Sequence, residues 1–164
     1  MIGSTGANSS IDPIVDTAPS GLELMQAFLA SSGRAASISD TMAMRPTEIA
    51  RGFVVFAATP DARHLNPAGG VHGGYACTVL DSVTGCAVHT MLEAGASYGT
   101  VDLAVKMLRP MKVGQTYRAE GRVLNVSVRL GVSEGSILDA DGKLVAHATC
   151  TCLITRPAAT VNAA

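Results

Sequence analysis

This 164-residue sequence is poor in charge and in aromatic side chains. Charged residues make up 15%, aromatic residues 4%, and tryptophan is absent. The formal net charge of −1 argues against a general nucleic-acid-binding protein, which would carry a basic surface. With so little charge available, we expect part of the surface to be hidden between subunits.

Membrane and export signals are also missing. No apolar run approaches the roughly 18 residues that a membrane span needs. No basic residue precedes Arg34, and no apolar stretch follows it as a secretory signal would require. We therefore expect a cytoplasmic protein with no membrane partner.

The cysteines show no metal-binding pattern. None forms a Cys-x-x-Cys pair, and neither His64 nor His72 adds a known ligand spacing. We expect no metal, no cofactor and four reduced, buried thiols. These are Cys77, Cys86, Cys150 and Cys152.

The chain divides into one domain with two tails. Residues 1–19, rich in Ser, Gly, Thr and Pro, predict a flexible tail, residues 20–156 a single domain, and residues 157–164 a second flexible tail. Apolar residues at helical spacing predict a short helix over Leu22–Leu29 that ends at Ser31–Gly33.

Most of the domain reads as strands around one long helix. Strand patterns span residues 42–59, broken by Pro46, and then 101–107, 117–123, 131–138 and 144–154, with a hairpin turn at Asp141-Gly142. A helix is predicted over residues 74–92, with a core stripe of Ala76, Leu80, Val83, Ala87 and Met91. The pattern predicts an α+β fold: an antiparallel sheet of five or six strands, with the helix inserted after the first one or two.

The glycine-rich turn from Asn66 to Gly74 opens this helix, and Asp81 lies in its apolar run. Free N–H groups at a helix start can polarise a carbonyl, and a carboxylate among apolar residues can accept a proton or attack. Gly73 and Asp81 are about 12 Å apart along one helix, at 1.5 Å per residue. Both must lie about 3 Å from the reacting atoms, so we expect two antiparallel helices in a homodimer with shared active sites.

These residues resemble the hotdog-fold thioesterases of the phenylacetate-degradation and acyl-CoA thioesterase type. The match covers residues 45–155. It is carried by Asn66, His72-Gly73-Gly74, Asp81, Thr100-Val-Asp102, Arg109-Pro110, Gly114 and Asp141-Gly142-Lys143-Leu-Val-Ala146. The resemblance implies a sheet wrapped around the central helix, dimers that commonly form tetramers, and an acyl-CoA substrate.

The resemblance also implies catalytic roles. Asp81 would be the nucleophile or general base, the Gly73 N–H would polarise the carbonyl, Asn66 would orient the carboxylate or water, and Thr100 would hold the water. Gly85 departs from the pattern, because some members carry a hydroxyl residue there. From the residues alone, Asn66 is also explained as a turn residue and Thr100 as a strand residue.

Substrate-binding residues are expected around this catalytic set. His72 is either a base or, as we favour, a residue that positions the turn, and Asp102 either lines the acyl pocket or faces solvent. Six of the twelve basic residues lie between Lys106 and Arg129, where they could receive the phosphates of coenzyme A. The resemblance places coenzyme A contacts in residues 107–112 and 125–130, which include Leu108, Arg109, Lys112, Asn125 and Arg129.

The sequence leaves two other functions open. A hydratase or dehydratase of the same fold would need an Asp and a His five residues apart, and no such pair follows Asp81. A non-catalytic acyl-CoA-binding protein would not need the set of Asn66, Gly73 and Asp81. The acyl group is not evident from the sequence, although the few aromatic residues predict a pocket walled by aliphatic side chains and methionine.

Overall fold

The computed structural model describes residues 18–32 and 37–157. Apart from residues 18, 19 and 157, the two predicted tails lie outside these residues. The first helix, α1 (Gly21–Ala30), confirms the predicted short helix. Its start is fixed by Ser20, whose hydroxyl accepts from the Glu23 N–H at 3.4 Å while the Glu23 carboxylate accepts from the Ser20 N–H at 2.7 Å. A short helix, α2 (Ser37–Thr41), follows.

Six strands form one antiparallel sheet. They are β1 (Met44–Ala50), β2 (Phe53–Ala58), β3 (Ser97–Met107), β4 (Tyr117–Val126), β5 (Leu130–Leu138) and β6 (Leu144–Thr155). Their order across the sheet is β1-β2-β4-β5-β6-β3, so β1 and β3 are the edges. The long helix α3 (Gly73–His89) comes after the first two strands. The predicted fold class, a hotdog sheet wrapped around one central helix, is confirmed.

Glycines in β4 and β5 let the sheet approach α3 closely. A Cβ on Gly121 would overlap the Val83 carbonyl, and one on Gly135 would lie 2.8 Å from the Thr84 methyl group. Side chains at these positions would push the helix off the sheet. The concave face is therefore shaped for α3 by the absence of side chains where the two backbones meet.

The predicted core stripe of α3 is confirmed at Ala76, Leu80, Val83 and Ala87, which are all buried. Met91 is the exception, because it lies beyond the helix and is half-buried. The helix ends early because the Thr90 hydroxyl donates to the Ala87 carbonyl at 2.7 Å and accepts from the Gly52 N–H at 2.7 Å. That link ties the helix end to the β1–β2 turn.

Two strand predictions are wrong. Pro46 does not break the first strand: it lies inside β1, opposite Phe56, at a register shift in an edge strand where a missing N–H is tolerated. β3 has a similar register shift between Thr100 and Asp102. Val101 is therefore 60% exposed and does not share the face of the half-buried Leu103 and Val105, as the alternation predicted it would.

The cysteines only partly match the expectation of four buried thiols. Cys150 and Cys152 are buried on one face of β6, with their Sγ atoms 3.7 Å apart. Cys77 and Cys86 are half-buried on α3. No three His, Cys, Asp or Glu side chains within residues 18–32 and 37–157 are grouped as metal ligands. No helix in this part of the chain has the length and apolarity to span a membrane.

Candidate active site: two cavities along one helix

The loop that leads into α3 is anchored by His64. Its buried ring accepts from the Asp61 N–H through Nδ1 at 2.9 Å, and its Nε2 lies 2.7 Å from the Thr41 carbonyl oxygen. Because Nδ1 accepts, Nε2 carries the proton and donates to Thr41. The His64 ring also lies 4.7 Å from the Tyr75 ring, centroid to centroid. His64 therefore has a structural role that fixes the loop to the body of the domain.

Asn66 builds the turn itself. Its Oδ1 accepts from the N–H groups of Ala68 at 3.0 Å and Gly70 at 3.2 Å, and its own N–H donates to the Gly70 carbonyl at 2.8 Å. These bonds are those of a turn residue. Asn66 lines neither of the two cavities described below, and its role toward the carboxylate or water stays a prediction.

His72 and Gly73 form the helix start. The His72 Nδ1 accepts from the Gly74 N–H at 2.8 Å, and the His72 carbonyl accepts from the Tyr75 N–H at 2.9 Å. His72 thus caps α3. The Gly73 N–H has no acceptor among the described residues. The His72 cap therefore leaves this N–H available to another acceptor.

The first cavity, of about 360 Å³, lies at this helix start. It brings together four of the predicted residues: His72, Gly73, Leu108 and Arg109. The segment of Leu108 and Arg109 is held against the start of β6, because both N–H groups donate to the Val145 carbonyl, at 2.8 and 3.1 Å. The Arg109 guanidinium also donates to the Leu144 carbonyl. A cation and a free helix N–H therefore share one cavity.

Asp81 lies in a second cavity, of about 330 Å³, between α1, α2, α3 and the edge strands. It belongs to a half-buried stripe of α3 with Thr78, Ser82 and Cys86, which the sheet does not cover. Its Oδ1 is buried and has no hydrogen-bond partner in the described part of the chain. Thr100, on β3, lines the same cavity. A buried carboxylate oxygen without a donor is costly, and such groups mark sites of chemistry or of a missing partner.

The two cavities share no lining residue. Gly73 and Asp81 belong to the same unbroken helix, which fixes their separation at about 12 Å. One chain therefore carries both halves of the predicted site without joining them.

The remaining predicted residues lie outside both cavities. Asp102 and Lys112 are exposed, and the Lys112 N–H donates to the Tyr117 hydroxyl at 2.7 Å. Asn125 and Arg129 flank the β4–β5 turn, where the Arg129 carbonyl accepts from the Ile154 N–H. Arg109 contacts Leu144 at the other end of β6, about 30 Å from Ile154 at 3.3 Å per residue. The structure therefore does not gather the basic residues at one place in a single chain, and their roles stay predictions.

The sequence interpretation missed the aromatic wall of the second cavity. Phe28, Phe56 and Tyr98 line it together with Met25 and Met44, so this cavity has aromatic rings beside the methionine side chains that the sequence led us to expect. Tyr98 had a usable signal, because it lies two residues before Thr100 and alternate strand residues share a face. The contribution of α1 to this cavity had no such signal, because the local sequence of a surface helix does not show which part of the fold it covers.

Electrostatics in the second cavity keep its other acids protonated. Burial raises the pKa of the Cys86 thiol to about 12. Burial, and then the neighbouring thiols and the Asp81 carboxylate, also raise the pKa of Tyr98. Both groups hold their protons at neutral pH, so neither serves as a base.

Comparison with known proteins identifies a related family. Residues 68–146, which include the helix start, Asp81 and Thr100, match the sequence profile of the Thioesterase superfamily. This segment belongs to the thioesterase superfamily. The predicted resemblance is thereby confirmed at the level of the family.

Three similar proteins illustrate the relationship. A candidate esterase of Caenorhabditis elegans is 32% identical over 62% of this chain and 60% of its own length. Human acyl-coenzyme A thioesterase 13 is 28% identical over 60% of this chain and 70% of its own length. The crystal structure of a phenylacetic acid degradation-related protein from Ralstonia eutropha has a TM-score of 0.69 and 29% identity, covering 77% of this chain and 97% of that one. The chain thus spans less than two thirds of the Caenorhabditis elegans relative.

Proposed function

We propose that this protein is an acyl-CoA thioesterase, which hydrolyses the thioester of an acyl- or aryl-coenzyme A to the free acid and coenzyme A. The observation that carries the proposal is the Asp81 Oδ1, buried without a partner in an apolar cavity beside Thr100. The fold and family agree with this chemistry, and the name of the human relative points to the same substrate class.

In the proposed reaction, the thioester carbonyl oxygen accepts a hydrogen bond from the Gly73 N–H. Charge that builds on the carbonyl oxygen is then stabilised by the donor and by the positive end of the helix dipole. Asp81 either takes a proton from a water that attacks the carbonyl carbon or attacks it directly, giving an anhydride that water opens. Thr100 holds the water. In both versions the C–S bond breaks, and the proton removed from water ends on the coenzyme A sulfur.

The proposal requires two copies of the chain. Each antiparallel α3 would lend its Gly73 to the Asp81 of the other, which removes the 12 Å separation within one helix. Two features support a partner on this side. The half-buried stripe of α3 is not covered by its own sheet, and β3 is an edge strand with Val101 and Met107 more than half exposed. We expect a dimer with shared active sites, and pairs of dimers as a tetramer.

Coenzyme A is proposed to enter at the first cavity. Arg109, held at its rim, offers a cation for a phosphate group. In the dimer, the acyl group would continue into the second cavity of the partner subunit, where the aromatic and methionine wall would surround it. Lys112, Asn125 and Arg129 are further proposed contacts to coenzyme A, and Asp102 to the acyl group.

Free-thiol release from aryl-, short- and long-chain acyl-CoAs tests the proposal. Wild-type protein should turn over at least one of them, and Asp81→Asn, which keeps the size of the side chain, should lose nearly all activity with an unchanged melting temperature. Full turnover by Asp81→Asn would refute the mechanism. Tight binding of acyl-CoA without turnover by wild-type protein would identify a non-catalytic acyl-CoA-binding protein instead.

A further inference from the structure

Tyr98 lies against the helix turn that follows Asp81. A Cβ on Gly85, four residues after Asp81, would lie 2.8 Å from the Tyr98 Cε2 and 3.2 Å from its Oη. Residues four apart lie on the same face of a helix, one turn apart. The phenol therefore occupies the space where residue 85 would otherwise place a side chain beside Asp81.

The other hydroxyl groups of this part of α3 are already bonded. Ser82 donates to the Thr78 carbonyl at 2.8 Å and Thr84 to the Leu80 carbonyl at 2.7 Å. The Tyr98 hydroxyl interacts with the Cys86 thiol, a weak hydrogen-bonding partner, and lies near the Cys152 thiol and the Asp81 carboxylate. Both Tyr98 and Thr100 line the cavity that holds the unpartnered Asp81 Oδ1. With Ser39 of α2, Tyr98 and Thr100 are the hydroxyl groups that line this cavity from outside α3.

We infer that Tyr98 is a positioning residue whose hydroxyl donates, in the substrate complex, to the reacting oxygen at Asp81, either of the carboxylate or of its water. The raised pKa of Tyr98 agrees with a donor, because the phenol stays protonated. The glycine at position 85 has a matching role: it leaves room for a hydroxyl brought in from β3. This inference rests on the proposed thioesterase function.

Tyr98→Phe tests the inference, since it removes the hydroxyl and keeps the ring against Gly85. We expect kcat to fall about 10- to 100-fold, the effect of a hydrogen bond to a charged group, with KM within about twofold and the melting temperature unchanged. Tyr75→Phe is the matched control, because Tyr75 is a buried tyrosine that lines neither cavity and whose hydroxyl has no partner among the described residues. It should leave kcat unchanged.

A double-mutant cycle separates positioning from packing. Gly85→Ala should shift the Tyr98 ring and lower kcat in the wild-type background. If it acts through the hydroxyl, it should lower kcat little further in the Tyr98→Phe background, whereas independent packing defects would multiply.

The outcomes distinguish this inference from the proposed function. If Asp81→Asn is inactive and Tyr98→Phe keeps kcat within twofold, the role of Tyr98 is overturned and the thioesterase stands. A rise in KM alone, or a loss of kcat matched by a loss of melting temperature, would also overturn it, by making Tyr98 a wall residue. Absence of turnover by wild-type protein on every acyl-CoA would overturn the function, and this inference with it.

Discussion

Replacement of Gly73 by proline should remove the donor for the carbonyl oxygen while leaving the helix intact. Gly73 is the first residue of α3, where proline is tolerated because the N–H has no intrahelical acceptor. His72 has φ −63° and ψ 136°, the extended conformation that a residue before proline adopts. The neighbouring donors do not substitute for it, because the Gly74 and Tyr75 N–H groups are bonded to His72.

The expected size of the effect follows from this count. The His72 cap leaves one free donor, the Gly73 N–H. Losing it should therefore remove all of its stabilisation of the carbonyl oxygen, which lowers kcat about 10²- to 10³-fold and costs about 3–4 kcal/mol of transition-state stabilisation. Gly73→Ala is the matched control. Its Cβ would lie 2.9 Å from the Met107 Sδ and Cε, the end of a flexible and half-exposed side chain that can move, and its N–H is retained.

Steady-state thiol release, with circular dichroism to check the helix, measures both variants. We expect Gly73→Ala within about fivefold of wild type and Gly73→Pro at least about 100-fold lower. If both folded variants lose kcat equally, the side chain and not the N–H would be responsible. The proposed polarisation of the carbonyl would then be refuted.

Three further predictions concern the cavity rim, the Cys86 thiol and the sheet. Arg109→Gln should raise KM for acyl-CoA about tenfold and leave KM for a short thioester without a nucleotide unchanged; equal effects on both substrates would contradict a phosphate contact. Cys86, whose pKa burial raises to about 12, should resist iodoacetamide at pH 8 in the native protein and react after unfolding in urea; rapid native labelling would contradict this. Gly121→Ala should destabilise the fold by about 1–3 kcal/mol or more in urea denaturation, because its Cβ would overlap the Val83 carbonyl.

The fold could be predicted from the sequence because periodicity and turn chemistry are local. The alternation in β4 and β6, the Asp141-Gly142 turn and the helix after Gly73 are all patterns of a few residues, and each is confirmed. The errors at Pro46 and Val101 both arise at register shifts. A register shift depends on the partner strand, which the local pattern does not contain.

The site was only partly predictable for a related reason. Helix geometry alone separates Gly73 from Asp81, and the structure agrees with that separation by placing them in different cavities. The contact of Tyr98 with Gly85 joins residues on different elements, and so it appears only after β3 is placed against α3. The spread of the basic residues to both ends of the sheet likewise follows from strand direction.

Subunit complementation tests the shared active site most directly. Gly73→Pro and Asp81→Asn should each be nearly inactive alone. When they are unfolded together and refolded at a 1:1 ratio, about half of the dimers are mixed, and one of the two sites in each mixed dimer combines an intact Gly73 with an intact Asp81 from the other chain. The account predicts that activity returns to about one quarter of the wild-type value. If the mixture is no more active than the two variants apart, although mixed dimers form, each site is built within one chain and the account is contradicted.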